Sequence, residues 1–347
     1  MYRWLFLLLH RCYSIDRRIW RKKTVVLCLL GIFCFGLLFS EGSAETTVFQ
    51  EKSHYAVVTD GAMEKKVLSG ADLARAKYYP YLQVDVLRIN NTFETEALIL
   101  SAISSGYDSI FSIGGSEEIM KNLSLLYPSV DFVSYSDTLS PSLPSNYTEF
   151  YLDLYPTSYL CGVATSFLSF TGKIGVIVDS SYPSSYLEGF LKGLGKEGIN
   201  TSVDIYYIEK DTPSFTIGAI ADSLYSEGSD IVFTLIGERA EYVIEKAEGR
   251  GGYVIVGDYH HQNKGPVLLS VNIDLEKITS TVIERIKDGA ERGRSYSLSL
   301  RDGVVDLSWF IDEKEMYSLS REMMDIASQV KSRLRLLRSD IIDGKEY

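Results

Sequence analysis

Cysteine is scarce in this chain and crowded at one end. Of four cysteines in 347 residues, Cys12, Cys28 and Cys34 fall within the first 44, which leaves only Cys161 beyond them. One thiol makes no intramolecular disulfide, so stability beyond residue 44 must come from burial, which roughly 300 residues can supply. Several signatures of chemistry are missing as well. No GxGxxG follows a first strand and no GxxxxGK[ST] occurs, which excludes the common nucleotide-binding loops. No GxSxG elbow is present, and paired acids alone do not make a nucleosidase. His260 and His261 are adjacent, and neighbours in a strand point to opposite faces; with no Cys or HxH partner nearby, they do not read as a metal site. No catalytic set, no metal and no cofactor is expected.

Positive charge is also lacking outside the N-terminal segment. Residues 1–44 hold seven Lys/Arg and two Asp/Glu, and the remainder carries 28 basic against 44 acidic residues, a net charge of −16. Such a body repels phosphate backbones and anionic lipid, so nucleic acid is excluded as a partner. The long apolar run is short of a membrane span. Thr24 to Phe39 is uncharged over 16 residues, whereas about 20 cross a bilayer comfortably. A basic run (Arg17, Arg18, Arg21, Lys22, Lys23) precedes it and Ser40-Glu41-Gly42-Ser43-Ala44 follows. Basic, apolar, then small is the order of a secretory signal. We expect residues 1–44 to form the export segment, with cleavage after Ala44 favoured over an uncleaved anchor. Cys34 follows Phe33, where a lipidation signal wants a small residue, so a lipid anchor is the weaker option. Membrane association would run through one of these two routes, and the chain is expected in the periplasm or on the outer face of the cytoplasmic membrane.

From His54 onward, short β-rich runs alternate with helical patterns. The runs are Tyr55–Thr59, Val84–Leu87, Ser109–Ile113, Asp131–Tyr135, Ile174–Val178, Val203–Ile208, Ile231–Leu235 and Tyr253–Val256. Between them lie amphipathic stretches such as Glu94–Ser105, Ser116–Leu126, Tyr186–Leu194, Ile217–Glu227 and Ala240–Glu248. Near-continuous apolar strands alternating with helices indicate parallel sheets covered on both faces. Two blocks, at about 54–150 and 173–269, predict two doubly wound lobes. Asp274–Glu291 reads as an amphipathic helix. Tyr296–Leu300 and Val304–Trp309 flank Asp302-Gly303, a hairpin signal. A last helix, Glu313–Arg338, ends in Lys331, Arg333, Arg335 and Arg338, a basic end that suits a helix C-terminus.

These residues resemble a family. Tyr55-Ala56-Val57-Val58-Thr59-Asp60-Gly61 looks like the opening strand and turn of the basic membrane protein family, whose best understood members are purine nucleoside receptors of ABC importers. Ser105 to Phe111 resembles its "GYDLIF" strand, Leu126 to Phe132 "YPDVKF", and Tyr159 to Val176 "FLAGVAAALMTKTGKIGF". Glu188-Gly189-Phe190 is similar to "xxGFxAG", and Gly228 to Phe233 to "GADVIF". The matches are collinear from about residue 55 to 310. The resemblance implies a type I periplasmic-binding-protein fold, two parallel-sheet lobes joined by three crossovers, with ligand held between them. The lobes then comprise 45–150 plus 270–293, and 151–269 plus 294–347. The implied function is the substrate-binding component of an ABC importer for a nucleoside or similar polar molecule, with an ABC permease as partner and no enzymatic activity. The rival reading is a divergent paralogue without ligand, acting as a surface interaction protein or sensor.

Ligands in such folds lie at the carboxyl ends of the strands. Asp60, Asp137, Asp179 and Asp258 stand just beyond four strands, where a carboxylate accepts hydrogen bonds from vicinal hydroxyls. Asp is equally a turn and N-cap residue. Asp60 and Asp258 also match family positions, the latter in Val256-Gly257-Asp258-Tyr259 against "GVDSDQ". A purine needs flat apolar faces. The family's stacking Phe and base-reading Asn, in the first loop, align with Leu68 and Ser69 here, in a stretch one residue shorter. A second aromatic falls at Tyr186, which either stacks or packs on the first turn of its helix. The family's Lys after the next strand is missing from Ser270-Val271-Asn272-Ile273. Cys161, where the family carries Ala, reads as packing.

Overall fold

Successive residues of the first strand, β1 (Ser53–Asp60), bury on opposite faces: Tyr55 and Val57 join one apolar cluster, Ala56 and Val58 another. A strand buried on both sides needs cover on both, which a helix-flanked parallel sheet supplies. The computed structural model describes residues 52–136, 139–196, 201–258, 265–309 and 321–345. The export segment, Asp137 and the His260-His261 pair lie outside the described residues. Residues from Lys52 onward form one unit.

The elements of the first lobe follow in order. After β1 come α1 (Glu64–Lys77), β2 (Leu82–Ile89), α2 (Thr95–Ser104), β3 (Ser109–Ile113), α3 (Glu117–Leu126), β4 (Asp131–Ser136) and β5 (Tyr147–Leu152). The second lobe has α4 (Tyr155–Leu168), β6 (Lys173–Asp179), α5 (Ser184–Gly195), β7 (Ser202–Ile208), α6 (Ser214–Ser226), β8 (Ile231–Leu235), α7 (Glu241–Arg250), β9 (Tyr253–Val256) and β10 (Val267–Ile273). Then α8 (Leu275–Lys287), β11 (Ser295–Leu298), β12 (Val305–Trp309) and α9 (Arg321–Ile342) complete the chain. One sheet runs β11-β5-β4-β3-β1-β2 and the other β12-β10-β9-β8-β6-β7. All pairs are parallel except β10–β12. Both sheets share the doubly wound order, as expected.

The chain crosses between lobes three times: from β5 to α4, from β10 to α8, which packs on α1, and from β11 to β12. Each crossing leaves the carboxyl end of a strand, so the carboxyl ends of both sheets face the gap. The crossings run side by side. Asp153 N–H donates to Leu298 O at 2.8 Å, and Asp274 N–H to Val304 O at 2.8 Å.

Two close helix contacts depend on glycine. In the α4–α5 pair, a Cβ on Gly162 would stand 2.0 Å from Phe190 O, and one on Gly193 2.0 Å from Tyr159 O. Backbones this close leave no room for a side chain, which explains glycine in Leu160-Cys161-Gly162 and Gly189-Phe190-Leu191-Lys192-Gly193. On the sheet side of α5, Phe190 stacks on Phe233 of β8 with centroids 3.9 Å apart. Each ring is fully buried, which stabilises the lobe by about 1.5–3 kcal/mol apiece.

Four expectations are corrected. First, Tyr296–Leu300 and Val304–Trp309 do not form a hairpin: β11 pairs with β5 and β12 with β10, in different sheets. Asp302 instead closes a capped turn, its Oδ2 accepting Ser299 N–H at 2.8 Å, with Gly303 left-handed at φ 69°. The turn signal is real, but it redirects the chain from one lobe to the other. Second, the lobe limits shift accordingly, since β10 runs in the second sheet to Ile273 and β11 lies in the first. Third, the stretch from Glu64, read as a loop, is the start of α1. Val67, Gly70, Ala71 and Ala74 make a buried stripe at helical spacing, which a loop does not need. Fourth, α9 runs on to Ile342, so Arg333, Arg335 and Arg338 lie within it and not at its end. Arg338 makes a two-pronged pair with Asp306 of β12, both bonds 3.0 Å.

Candidate functional site

In the first lobe, β1 ends on Asp60 and β3 leads into Gly114-Gly115. Both glycines are left-handed, at φ 97° and 78°, a conformation open to glycine without strain. A Cβ on Gly114 would stand 3.1 Å from Asp60 Oδ2, so the absent side chain lets the two strand ends approach. Asp60 Oδ1 accepts the N–H groups of Ala62 and Met63 at 2.8 and 3.0 Å. One oxygen therefore holds the turn into α1, as the structural alternative required, while the other faces Gly114. Leu68 lies a turn further along α1 and is 43% exposed, and Ser69 beside it is half-buried. Gly70 presses against α8, where a Cβ would stand 2.3 Å from Glu276 O.

The second lobe gathers more. Asp258 follows β9 and is 5% exposed. Its Oδ2 accepts Gly237 N–H at 2.7 Å, and the Tyr182 hydroxyl bonds to the same carboxyl group. Its Oδ1 is buried without a hydrogen-bond partner among the described residues. Burial drives the pKa of Asp258 up to about 7, against the opposing pull of the Gly237 N–H, the Tyr182 hydroxyl and the Arg239 charge. A buried carboxylate with an open acceptor oxygen is costly unless something donates to it. Cys161 of α4 lies nearby and is fully buried, and burial pushes its thiol pKa up. It is packing, not a nucleophile.

Asp179, at the end of β6, is committed within the protein. Its Oδ1 accepts the Ser181 N–H at 2.9 Å and the Ser181 hydroxyl at 2.7 Å, and its Oδ2 accepts Arg239 Nη2. Burial works to raise its pKa, but the Ser181 hydrogen bonds and the Arg239 charge outweigh it and hold the pKa below the ordinary value. Tyr186 is 4% exposed, and its hydroxyl donates to Leu152 O at the first crossover. Its ring is buried in the lobe, 6.1 Å between centroids from Tyr182.

The structure thus sets Asp60 and Asp258 at facing strand ends, one per lobe, with Leu68 and Ser69 on α1, the helix whose entry turn Asp60 holds. It turns Tyr186 inward. Tyr182, Gly237 and Arg239 join the site without having been singled out from the sequence. Gly-Glu-Arg one residue beyond a buried strand is the available signal, but Arg239 meets Asp179 from 60 positions away. Among the described residues no group of three His, Cys, Asp or Glu is placed to hold a metal. Nor is any helix among them long and apolar enough to cross a membrane.

Two doubly wound lobes with three crossovers and acidic groups at facing strand ends define a two-lobed solute-binding protein of the type I periplasmic class. The family model Bmp, "ABC transporter substrate-binding protein PnrA-like", matches residues 46–336, and the chain belongs to that family. It is 24% identical over 258 residues to the CD4+ T-cell-stimulating antigen of Listeria monocytogenes, covering 70% of this chain and 71% of that protein. It is 26% identical over 308 residues to Basic membrane protein B of Borreliella burgdorferi, covering 80% and 87%. Among solved structures, a transcriptional activator of the comK gene from Bacillus halodurans superposes with TM-score 0.62 at 19% identity, covering 82% of this chain and 97% of that one. A periplasmic ribose ABC transporter protein from Conexibacter woesei does so with TM-score 0.58 at 12% identity, covering 83% and 98%.

Proposed function

We propose that this protein captures a nucleoside or a similar neutral polyol between its lobes, outside the cytoplasm, and delivers it to an ABC permease without chemical change. The observation that carries this reading is Asp258: a buried carboxyl group at a strand end with one oxygen lacking a donor among the described residues. Vicinal hydroxyls supply such donors, and hydrogen bonds to a carboxylate contribute about 1.5–3 kcal/mol each. Asp60 answers from the other lobe, so a ligand touching both would hold the lobes closed. Binding by hinge closure is the usual behaviour of such two-lobed proteins. Export rests on the order of charge and hydropathy in residues 1–44, and delivery without chemical change on the substrate-binding role of the family.

The test is native mass spectrometry of gently purified protein, followed by calorimetry with a panel of nucleosides and free pentoses. A co-purified nucleoside, or binding at micromolar concentration, supports the reading. No binding of any panel member at millimolar concentration rejects it.

A second reading has its own support. The inward-facing ring of Tyr186 and the replacement of the stacking aromatic by Leu68 leave the base without the family's two flat faces. A paralogue that kept the scaffold and turned to protein contacts fits this loss. The Listeria relative is named as an antigen and the Bacillus halodurans neighbour as a transcriptional activator, so roles differ among the proteins that this chain resembles.

A further inference from the structure

Arg239 uses its fork on four acceptors drawn from three strand ends. Nη1 donates to Glu209 O at 3.0 Å and to Lys210 O at 3.1 Å, both just after β7. Nε donates to Ile236 O after β8 at 3.4 Å, and Nη2 to Asp179 at the end of β6. β7, β6 and β8 are consecutive in the sheet, so one side chain spans the loops that floor this half of the gap. Only a planar guanidinium presents donors in that many fixed directions. The pair is largely withdrawn from solvent, with 24% of the Arg239 side chain and 5% of the Asp179 side chain exposed.

The same arginine reaches Asp258 by two routes. Gly237 is left-handed at φ 61° and donates its N–H to Asp258 Oδ2. The carbonyl just before it, on Ile236, is held by Arg239 Nε, and that fixes the turn that aims the Gly237 N–H. Second, the Arg239 charge acts on Asp258 through space. Among the described residues, the other groups acting on Asp258 are its own backbone N–H, the Tyr182 hydroxyl and the Cys161 thiol, none of them a cation.

We propose that Arg239, anchored by Asp179 and by three backbone carbonyls, is the positioning residue of this half-site: it locks the loops after β6, β7 and β8 and tunes Asp258 as the acceptor for a ligand's hydrogen-bond donor. This deepens the reading above, since only that reading gives Asp258 a ligand. The lock and the coupling are nevertheless properties of the empty protein, and the test adds no ligand, so its failure leaves the ligand reading standing.

The test follows the Asp258 carboxyl signal by carbon NMR through a pH titration, with Asp258→Asn used to assign it. Arg239→Met removes the cation and leaves Asp179 uncompensated, so the Asp258 midpoint should rise by about one pH unit. Asp179→Asn keeps the cation, held by its carbonyls, and should lower the midpoint. Arg239→Lys keeps charge but not the fork: the midpoint should stay within a few tenths of a unit, while amide exchange at Ser181, Thr212 and Gly237 should accelerate about tenfold. Opposite shifts in the first two variants, with local exchange in the third, support the proposal. A midpoint unmoved by all three, shifts of the same sign in the first two, or exchange that rises uniformly over the lobe would each overturn it. Asp179→Asn is nearly isosteric, so a reading is obtained even if Arg239→Met folds poorly.

Discussion

Gly237 donates its backbone N–H to one oxygen of Asp258 at 2.7 Å, while the other oxygen has no partner among the described residues. A carboxyl group so placed is half satisfied among the described residues, and a ligand's donor would complete it. Asp258→Ala should weaken a bound nucleoside by about 1.5–3 kcal/mol, the loss expected for a charge-assisted hydrogen bond. Calorimetry on both proteins measures it, and equal affinities would remove Asp258 from the site.

The same residue makes the empty protein sensitive to pH. Its folded pKa, about 7 through burial, lies above the ordinary value near 3.9. The native state therefore binds the proton more tightly than the unfolded chain does. That contribution is complete below about pH 4 and is lost as pH rises through 7. Asp258→Asn keeps the shape and cannot ionise. It should raise the stability of the empty protein at pH 8 by on the order of 4 kcal/mol relative to its effect at pH 4. Denaturant titrations at the two pH values decide it; a difference that is absent or reversed means that Asp258 is not buried as an acid.

How much of this was legible in the sequence varies with the range of the interaction. Ser109–Ile113, Ile231–Leu235 and Tyr253–Val256 form strands over those same limits, because a buried parallel strand writes its whole length in apolar residues. Helix α1 is hidden in the sequence, since apart from Val67 its buried stripe is Gly70, Ala71 and Ala74, small residues that suit close contact with α8 and are weak as a hydropathy signal. The supposed hairpin failed for a different reason: local turn chemistry at Asp302-Gly303 does not say which strand each neighbour will pair with. In the site, strand ends alone offer four aspartates, and it is the family resemblance that sets Asp60 and Asp258 apart from them. Tyr186 could not be placed, because its direction is set by a hydroxyl bond to Leu152, 34 residues away. The Asp179–Arg239 pair was out of reach in the same way.

Packing of α4 on α5 gives a prediction independent of any ligand. A Cβ on Gly162 would meet the backbone at Phe190, 2.0 Å away, and backbone cannot swing aside as a side chain can. Gly162→Ala should cost at least about 3 kcal/mol by forcing the helices apart. Gly195→Ala at the end of the partner helix α5, where nothing lies within 4 Å, should change stability by less than about 1 kcal/mol. Thermal unfolding of the two variants makes the comparison. Equal losses would show that the helices are not in close contact.

Closure itself can be followed from the rims of the gap. The crossovers all leave from one side of each sheet, at β5, β10 and β11, and the opposite edges are β2 and β7. Phe93 follows β2 and Phe215 opens the helix after β7, and they are 98% and 78% exposed. They occupy equivalent places on the two lobes, at the side farthest from the crossovers. Six strands spaced by about 4.8 Å put these edges about 24 Å from the hinge side, so a rotation of about 15° brings them roughly 6 Å closer. Spin labels at Phe93→Cys and Phe215→Cys, placed in protein produced from Glu45 onward so that Cys12, Cys28 and Cys34 are left out, would report that change, because Cys161 is buried. With a saturating nucleoside the mean label distance should shorten by several ångströms, and with Asp258→Ala added it should not. A distance that stays constant while calorimetry records binding would mean that the ligand sits on one lobe and does not clamp the two together.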